Sequence, residues 1–296
     1  MNILLVSEPD AIAQKMSKGI DKFSIVTIVK GRRKQLANLL SAIQASTILP
    51  QDIQVVCMDE DNGIAVPGGL KVNIHTMSDE HELPLAAARN RGIAATETEN
   101  VIFIDVDCIV SPSLFANMLM SLQAGNIISA YPLYLPILPD SGAYDELKHK
   151  AVPHPSREQL PANQPVDHLQ FWSLIFAMQK QSFEKVGGFD ESFTGYGAED
   201  TDFAMMFHQA NIELIFVTDY VLHQYHDKHD PPIMHFDSIV ENARRYQQKW
   251  TVLPMQRWLK AFEKMDLISI DAADNITVKQ KPSDSQVESC VSPNPY

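Results

Sequence analysis

The chain has 296 residues, 45% of them hydrophobic, enough to bury a substantial core in one large domain with a small appendage. Lysine and arginine number 24 against 37 aspartates and glutamates, and the formal net charge of -13 excludes general nucleic-acid binding, because phosphate contacts require clustered cations. Cys57, Cys108 and Cys290 are too widely spaced for a disulfide framework or a zinc site and fit a reducing compartment. No apolar run approaches the roughly 18 residues of a membrane span. Met1 to Val6 is apolar but lacks the basic start and length of a signal peptide, and peripheral membrane contact stays open.

Asn2 to Val6 reads as a strand and the residues up to Lys22 as a short helix, an N-terminal extension (1–22) with no chemistry of its own. Phe23 to Val29 is a β-branched apolar run that predicts a strand. It leads into Lys30-Gly31-Arg32-Arg33-Lys34, a glycine turn with four cations suited either to a diphosphate or to solvent. An amphipathic helix bearing Leu36, Leu39, Leu40 and Ile43 follows. Ile53 to Met58 predicts the next strand and ends in Asp59-Glu60-Asp61-Asn62-Gly63, a turn whose acids can meet a base or ribose edge. Leu70 to Thr76 predicts a third strand, Pro84 opens a helix running to Ala95, and Val101 to Ile104 predicts a fourth strand. This alternation is that of a βαβ half-sheet with parallel order.

Ser111 to Gln123 predicts a helix with Leu114, Met118 and Leu122 on its core face. Tyr131 to Pro165 holds seven prolines and predicts a long irregular excursion, either shaping an acceptor pocket or serving as a spacer. Leu169 to Met178, with Trp172, predicts a buried strand; Gln181 to Val186 is a helical turn, Glu199 to Gln209 a helix and Ile212 to Val217 a strand. His235 to Trp250 and Pro254 to Met265 predict amphipathic helices anchored by Trp250 and Trp258. Residues 267–296, rich in Ser, Pro and Asp, read as a disordered tail.

The chemistry gathers at the end of the Val101 strand. Side chains alternate along a strand, so Asp105 and Asp107 can both point off the carboxyl edge of the sheet, where open α/β folds bind ligands. Two anions there call for a cation, whereas an isolated Asp-x-Asp fits an acidic turn equally well. A second acidic cluster, Glu199, Asp200 and Asp202, falls in the first turn of a helix, where the dipole favours acids. Gly188, Gly195 and Gly197 before it point to a backbone brought close to a ligand. His223, His226 and His229 follow the Ile212 strand and offer metal-ligating nitrogens.

Gly187-Gly188-Phe189-Asp190 and Gly195-Tyr196-Gly197-Ala198-Glu199-Asp200-Thr201-Asp202 resemble the Gly-Trp-Gly-Gly-Glu-Asp-Asp-Asp region of β-1,4-galactosyltransferases and chondroitin-polymerase-type enzymes. His223 precedes Pro231 by eight residues, similar to the spacing around the metal-binding His of the galactosyltransferases. Over roughly Ser24 to Phe262 the chain thus resembles nucleotide-sugar glycosyltransferases of the GT-A fold, in inverting family 2. The resemblance implies an α/β GT-A fold with a mostly parallel central sheet flanked by helices. It divides the chain into a nucleotide-sugar-binding half (23–130), the Pro-rich loop (131–167) and an acceptor and catalytic half with C-terminal helices (168–266).

Carried over by residue, the resemblance implies Asp107 and His223 as ligands of Mn2+ or Mg2+, with Asp105 near the ribose and metal and His226 as the alternative histidine. Lys30 and Arg32 would hold the donor diphosphate; Asp59 or Glu60, with Arg89, would recognise the uracil side; Asp200 would be the general base and Glu199 would orient the acceptor hydroxyl. Tyr196, Trp172 and Asp202 would line the acceptor. Tyr196 replaces a family Trp, Ala198 a Gly, and Tyr220 a metal-binding Met. The implied reaction transfers galactose or an N-acetylhexosamine from a UDP-sugar to a glycan or glycolipid acceptor, in the cytoplasm or at the inner face of the membrane. Two other readings carry weight. A haloacid-dehalogenase-like phosphohydrolase also uses a strand ending Asp-x-Asp, but Ile109 stands where it wants Thr. A non-catalytic sugar-binding protein of the same fold is the other.

Overall fold

β1 (Phe23–Val29) and β2 (Asp52–Cys57) are buried along their whole length, as continuous apolar runs require when helices cover both faces of a sheet. The structure, a computed structural model, describes residues 22–59, 63–77 and 83–296; the strand and helix read between Asn2 and Lys22 fall almost wholly outside them. β2 pairs in parallel with β1 and with β3 (Val72–Thr76), and β1 with β4 (Asn100–Ile104). This is the expected half-sheet. α1 (Arg33–Gln44) buries Leu36, Leu39, Leu40 and Ile43 against it, a helical stripe at spacings of three and four. α2 (Leu85–Ala94) packs on the other side through Gly92, where a Cβ would stand 2.4 Å from the Val26 side chain.

Past β4 the strand directions mix. β5 (Cys108–Val110), β6 (Asn126–Tyr134), β9 (Ile175–Gln179) and β10 (Glu213–His223) complete a ten-stranded sheet ordered β3-β2-β1-β4-β9-β6-β10-β5. β9 runs antiparallel between β4 and β6, whereas β10 runs parallel to β6. The short β7 (Val152–Pro153) and β8 (Pro165–Val166) tie the proline-rich excursion to β6 and β10. The helices on this half are α3 (Leu114–Ser121), α4 (Tyr144–Leu147), α5 (Lys180–Val186), α6 (Glu199–Gln209), α7 (Phe236–Trp250) and α8 (Gln256–Lys264). Trp172, expected within a strand from Leu169, instead precedes β9 in a loop that follows the 3-10 turn His168–Gln170.

The segment 267–296, expected to be disordered, is folded. β11 (Ile268–Ile270) and β12 (Ile276–Val278) form a hairpin, and α9 (Asp284–Ser289) follows. Leu267, Ile268, Ile276 and Cys290 are buried with Phe236, Ile239 and Phe262 of α7 and α8 in one apolar cluster. The polar residues that read as disorder build turns and caps: Ser283 and Gln286 form a reciprocal capping box at the start of α9. Among the described residues no helix is long and apolar enough to cross a membrane.

Candidate active site

β5 runs antiparallel to β10 with His223 opposite Cys108, and that register sets the end of β10 beside Asp107. The Gln224 N–H donates to the Asp107 carbonyl at 2.6 Å. Gln224 is itself fixed: its side-chain amide donates to the Gln35 carbonyl at 3.0 Å, and its Oε1 accepts from Asn38 at 2.8 Å. The chain then returns so that Nε2 of His226 lies 3.8 Å from Oδ2 of Asp107. One ligand atom from each of Asp107, His223 and His226 lies within 4.8 Å of the others.

Asp107 is 1% exposed, yet its Oδ1 has no hydrogen-bond partner among the described residues, and neither has the buried Nδ1 of His223. An unpaired buried polar group costs about 1–3 kcal/mol. Two in one mixed oxygen and nitrogen cluster fit a divalent cation of the Mn2+ type. Burial, then the neighbouring His226 and Arg32, hold the His223 imidazole well below its usual pKa, in the neutral form that ligates metals. His226, expected as the alternative histidine, lies in the same cluster as His223. Asp105 lies outside the trio; its Oδ1 accepts the Val106 N–H at 2.8 Å.

The basic turn after β1 faces this cluster. Arg32 is ion-paired with Oδ2 of Asp107, and Lys30 is exposed beside it. Asp59, expected on the nucleobase side, braces the turn: Oδ2 accepts the Gly31 N–H at 2.7 Å and Oδ1 pairs with Arg33 at 3.1 Å. Glu60 lies outside the described residues.

The second acidic cluster separates into distinct roles. Arg89, expected at the uracil, is buried between the Phe103 and Phe189 rings and pairs with Oε1 of Glu199 at 3.1 Å. The other oxygen of Glu199 accepts the Gly197 N–H at 3.1 Å, so the residue expected to orient an acceptor hydroxyl is spent inside the protein. Asp202, expected at the acceptor, is 0% exposed and clamps α6 to α7, accepting from Trp250 Nε1 at 2.7 Å and pairing with Lys249 at 2.9 Å. The glycines also serve packing: a Cβ on Gly195 would stand 2.4 Å from the Ser238 Cβ, and one on Gly197 would meet the Met255 sulfur at 2.7 Å.

Asp200 alone of the three acids keeps an open carboxylate, with Oδ1 accepting the Thr201 N–H at 2.8 Å. Burial and then the Glu199 charge push its pKa up to about 6, the range of a working proton acceptor. Tyr196 stacks on His235 at 4.6 Å and on Trp258 at 5.8 Å. Burial, then the charges of Glu199, Asp200 and Asp105, raise the pKa of its hydroxyl, with Arg32 opposing. Trp172 lies face-on to Arg157, with 3.4 Å from the guanidinium carbon to the ring centroid. Sequence reasoning missed Arg157 and Gln224. No motif marks either, although Gln224 falls between two histidines already singled out.

Residues 69–222 match the family described as glycosyltransferase like family 2. A curated relative, the validoxylamine A glucosyltransferase of Streptomyces hygroscopicus subsp. limoneus, is 24% identical over 226 residues, 64% of this chain and 49% of the relative. The chain thus spans about half the length of that relative. Residues 1-349 of S. aureus TarS superpose with a TM-score of 0.52 at 14% identity, over 77% of this chain and 66% of that one. GalNAc-T7, crystallised with UDP, GalNAc and Mn2+, gives 0.51 at 14% identity over 70% of this chain and 44% of that one. The fold is GT-A, and the chain belongs to glycosyltransferase like family 2.

Proposed function

We propose that the protein is an inverting, metal-dependent glycosyltransferase that moves a sugar from a UDP-sugar, of galactose or N-acetylhexosamine type, to a hydroxyl of a glycan acceptor. The observation that carries this reading is the trio Asp107, His223 and His226, with two buried ligand atoms lacking partners, at the sheet edge beside Arg32. Those three residues would hold Mn2+ or Mg2+, which supplies Lewis-acid neutralisation of a leaving diphosphate. Arg32 and Lys30 add fixed positive charge to the same leaving group. GalNAc-T7 with UDP and Mn2+, and TarS with UDP-GlcNAc, lend support as members of the same fold.

Asp200 takes the proton from the acceptor hydroxyl as the oxygen attacks the anomeric carbon from the face opposite the diphosphate, so configuration inverts. Its raised pKa matches that task, whereas Glu199 and Asp202 hold the helix that presents it. Tyr196, stacked on Trp258, and Trp172 offer ring faces on which an acceptor sugar can lie.

UDP release from UDP-glucose, UDP-galactose, UDP-GlcNAc and UDP-GalNAc, measured with Mn2+ and then with a chelator, tests the reading. The expected result is turnover of one donor, lost on chelation and in Asp107→Ala. Absence of turnover and of UDP binding across the panel would reject it.

A further inference from the structure

A cationic and aromatic cluster adjoins the trio. The Tyr134 ring, paired in register with His223 across β6 and β10, stands 4.9 Å from the His223 ring. On its other sides lie His154 at 5.8 Å and Tyr296 at 6.2 Å, and His154 meets the Trp172 edge at 5.2 Å. Arg157 is 3% exposed; it lies over the Trp172 ring at 3.4 Å and donates to Gln170 at 2.9 Å. Its Nε is buried without a hydrogen-bond partner among the described residues. Lys228 lies over the Tyr134 ring at 5.9 Å. Among the described residues neither Arg157 nor Lys228 pairs with a carboxylate; Arg257, the third cation here, is paired with Asp230 at 2.9 Å.

In a chain of net charge -13 such a gathering is selective. Arg157 and His154 meet the same Trp172 ring, and Lys228 and His154 the same Tyr134 ring, so the three lie around one aromatic wall. A buried guanidinium cannot shed its proton to escape the cost of burial, and the ordinary remedy is an anion with hydrogen-bonding oxygens. Among the described residues the partners of the Arg157 guanidinium are rings and one amide. The rings match the apolar face of a sugar, and the cations match an anion carried on it.

Resting on the transferase reading above, we propose that Arg157, Lys228 and His154, with Trp172 and Tyr134, form an acceptor subsite for a sugar bearing an anionic group, phosphate or carboxylate. The donor diphosphate is met at the end of β1 by Lys30 and Arg32, which leaves this cluster for a second anion. Lys228 and His154 keep part of their surface open to it, and Arg157 forms the floor beneath Trp172.

The test is calorimetric binding of glucose, glucose 6-phosphate and glucuronate to the full chain saturated with UDP and Mn2+. The subsite predicts that at least one anionic sugar binds about tenfold or more tightly than glucose, and which one identifies the anion. Lys228→Gln and Arg157→Gln are each expected to remove that preference while UDP affinity changes less than about twofold. Arg157→Lys keeps the charge and retains part of the preference, which separates recognition from a folding defect reported by melting temperature. If all three sugars bind alike or none binds, or if the variants weaken UDP instead, the subsite is overturned. Failure of the wild-type chain to bind UDP at all would reject the transferase reading, and the subsite with it.

Discussion

Arg32 and Asp107 form an ion pair through Oδ2 across 75 residues of sequence, while Oδ1 of the same carboxylate has no partner among the described residues. The guanidinium therefore holds one side of the ligand cluster and leaves the other side open. A cation entering at Oδ1 and Nδ1 of His223 would share the carboxylate with Arg32, and a diphosphate would draw on both positive charges.

Arg32→Gln is accordingly expected to lower kcat/KM for donor hydrolysis by about 10–100-fold, with kcat falling more than KM rises, because the charge acts mainly on the leaving group. Arg32 is 37% exposed but Asp107 only 1%, so removing the guanidinium leaves a buried carboxylate unpaired and the melting temperature should fall in the absence of metal. Steady-state kinetics and thermal melting of the variant check both statements.

As the proposed base, Asp200 is expected to set the acid limb of the pH profile. A base must be ionised to act, so transfer is expected to rise with pH through about 6 and level off above it. Asp200→Asn should lower kcat by about 100–10,000-fold and flatten that limb. The stability effect has the opposite sign. Because the folded pKa lies above the unfolded one, the folded state binds the proton more tightly, and stability falls as pH rises from about 4 to about 6. Asn removes that loss, so the variant should be more stable than the wild type at pH 8 and no more stable at pH 4 in urea unfolding.

What was legible beforehand follows from how local the signal is. Strand ends report topology, so Asp107 after the Val101 run and His223 after the Ile212 run could be brought to one sheet edge from sequence. Whether His226 joins His223 depends on a turn that hydrophobic pattern does not encode. The acids of α6 illustrate the limit more sharply. Glu199, Asp200 and Asp202 look equivalent in sequence, yet Arg89, 110 residues away, takes Glu199, and Trp250, 48 residues away, takes Asp202. Pairing over such distances is fixed by packing of α2 and α7. The tail was misread for a related reason: Leu267, Ile268 and Ile276 make runs too short to register, and only the α7–α8 surface gives them a core.

Gly195 and Gly187 separate packing from backbone strain. Both have positive φ, +74° and +87°, but a Cβ on Gly187 meets open space whereas one on Gly195 collides with Ser238 of α7. Gly187→Ala should cost about 1 kcal/mol from strain alone, and Gly195→Ala about 2–4 kcal/mol, strain and overpacking together. Gly195→Ala should also impair transfer, since it pushes α7 away from the loop that carries Tyr196 and leads into Asp200 at the start of α6. Urea unfolding of the two variants side by side measures the difference.

In the proposed mechanism, donor cleavage depends on a metal that Asp107, His223 and His226 hold together. The most direct test is Mn2+ binding to the full chain, followed by electron paramagnetic resonance with UDP present. The account predicts one bound Mn2+ carrying nitrogen couplings, an affinity at least about tenfold weaker in Asp107→Ala and in His226→Ala, and no change in Asp200→Asn. Mn2+ bound with equal affinity in all three variants, or with no nitrogen in its coordination sphere, would contradict it.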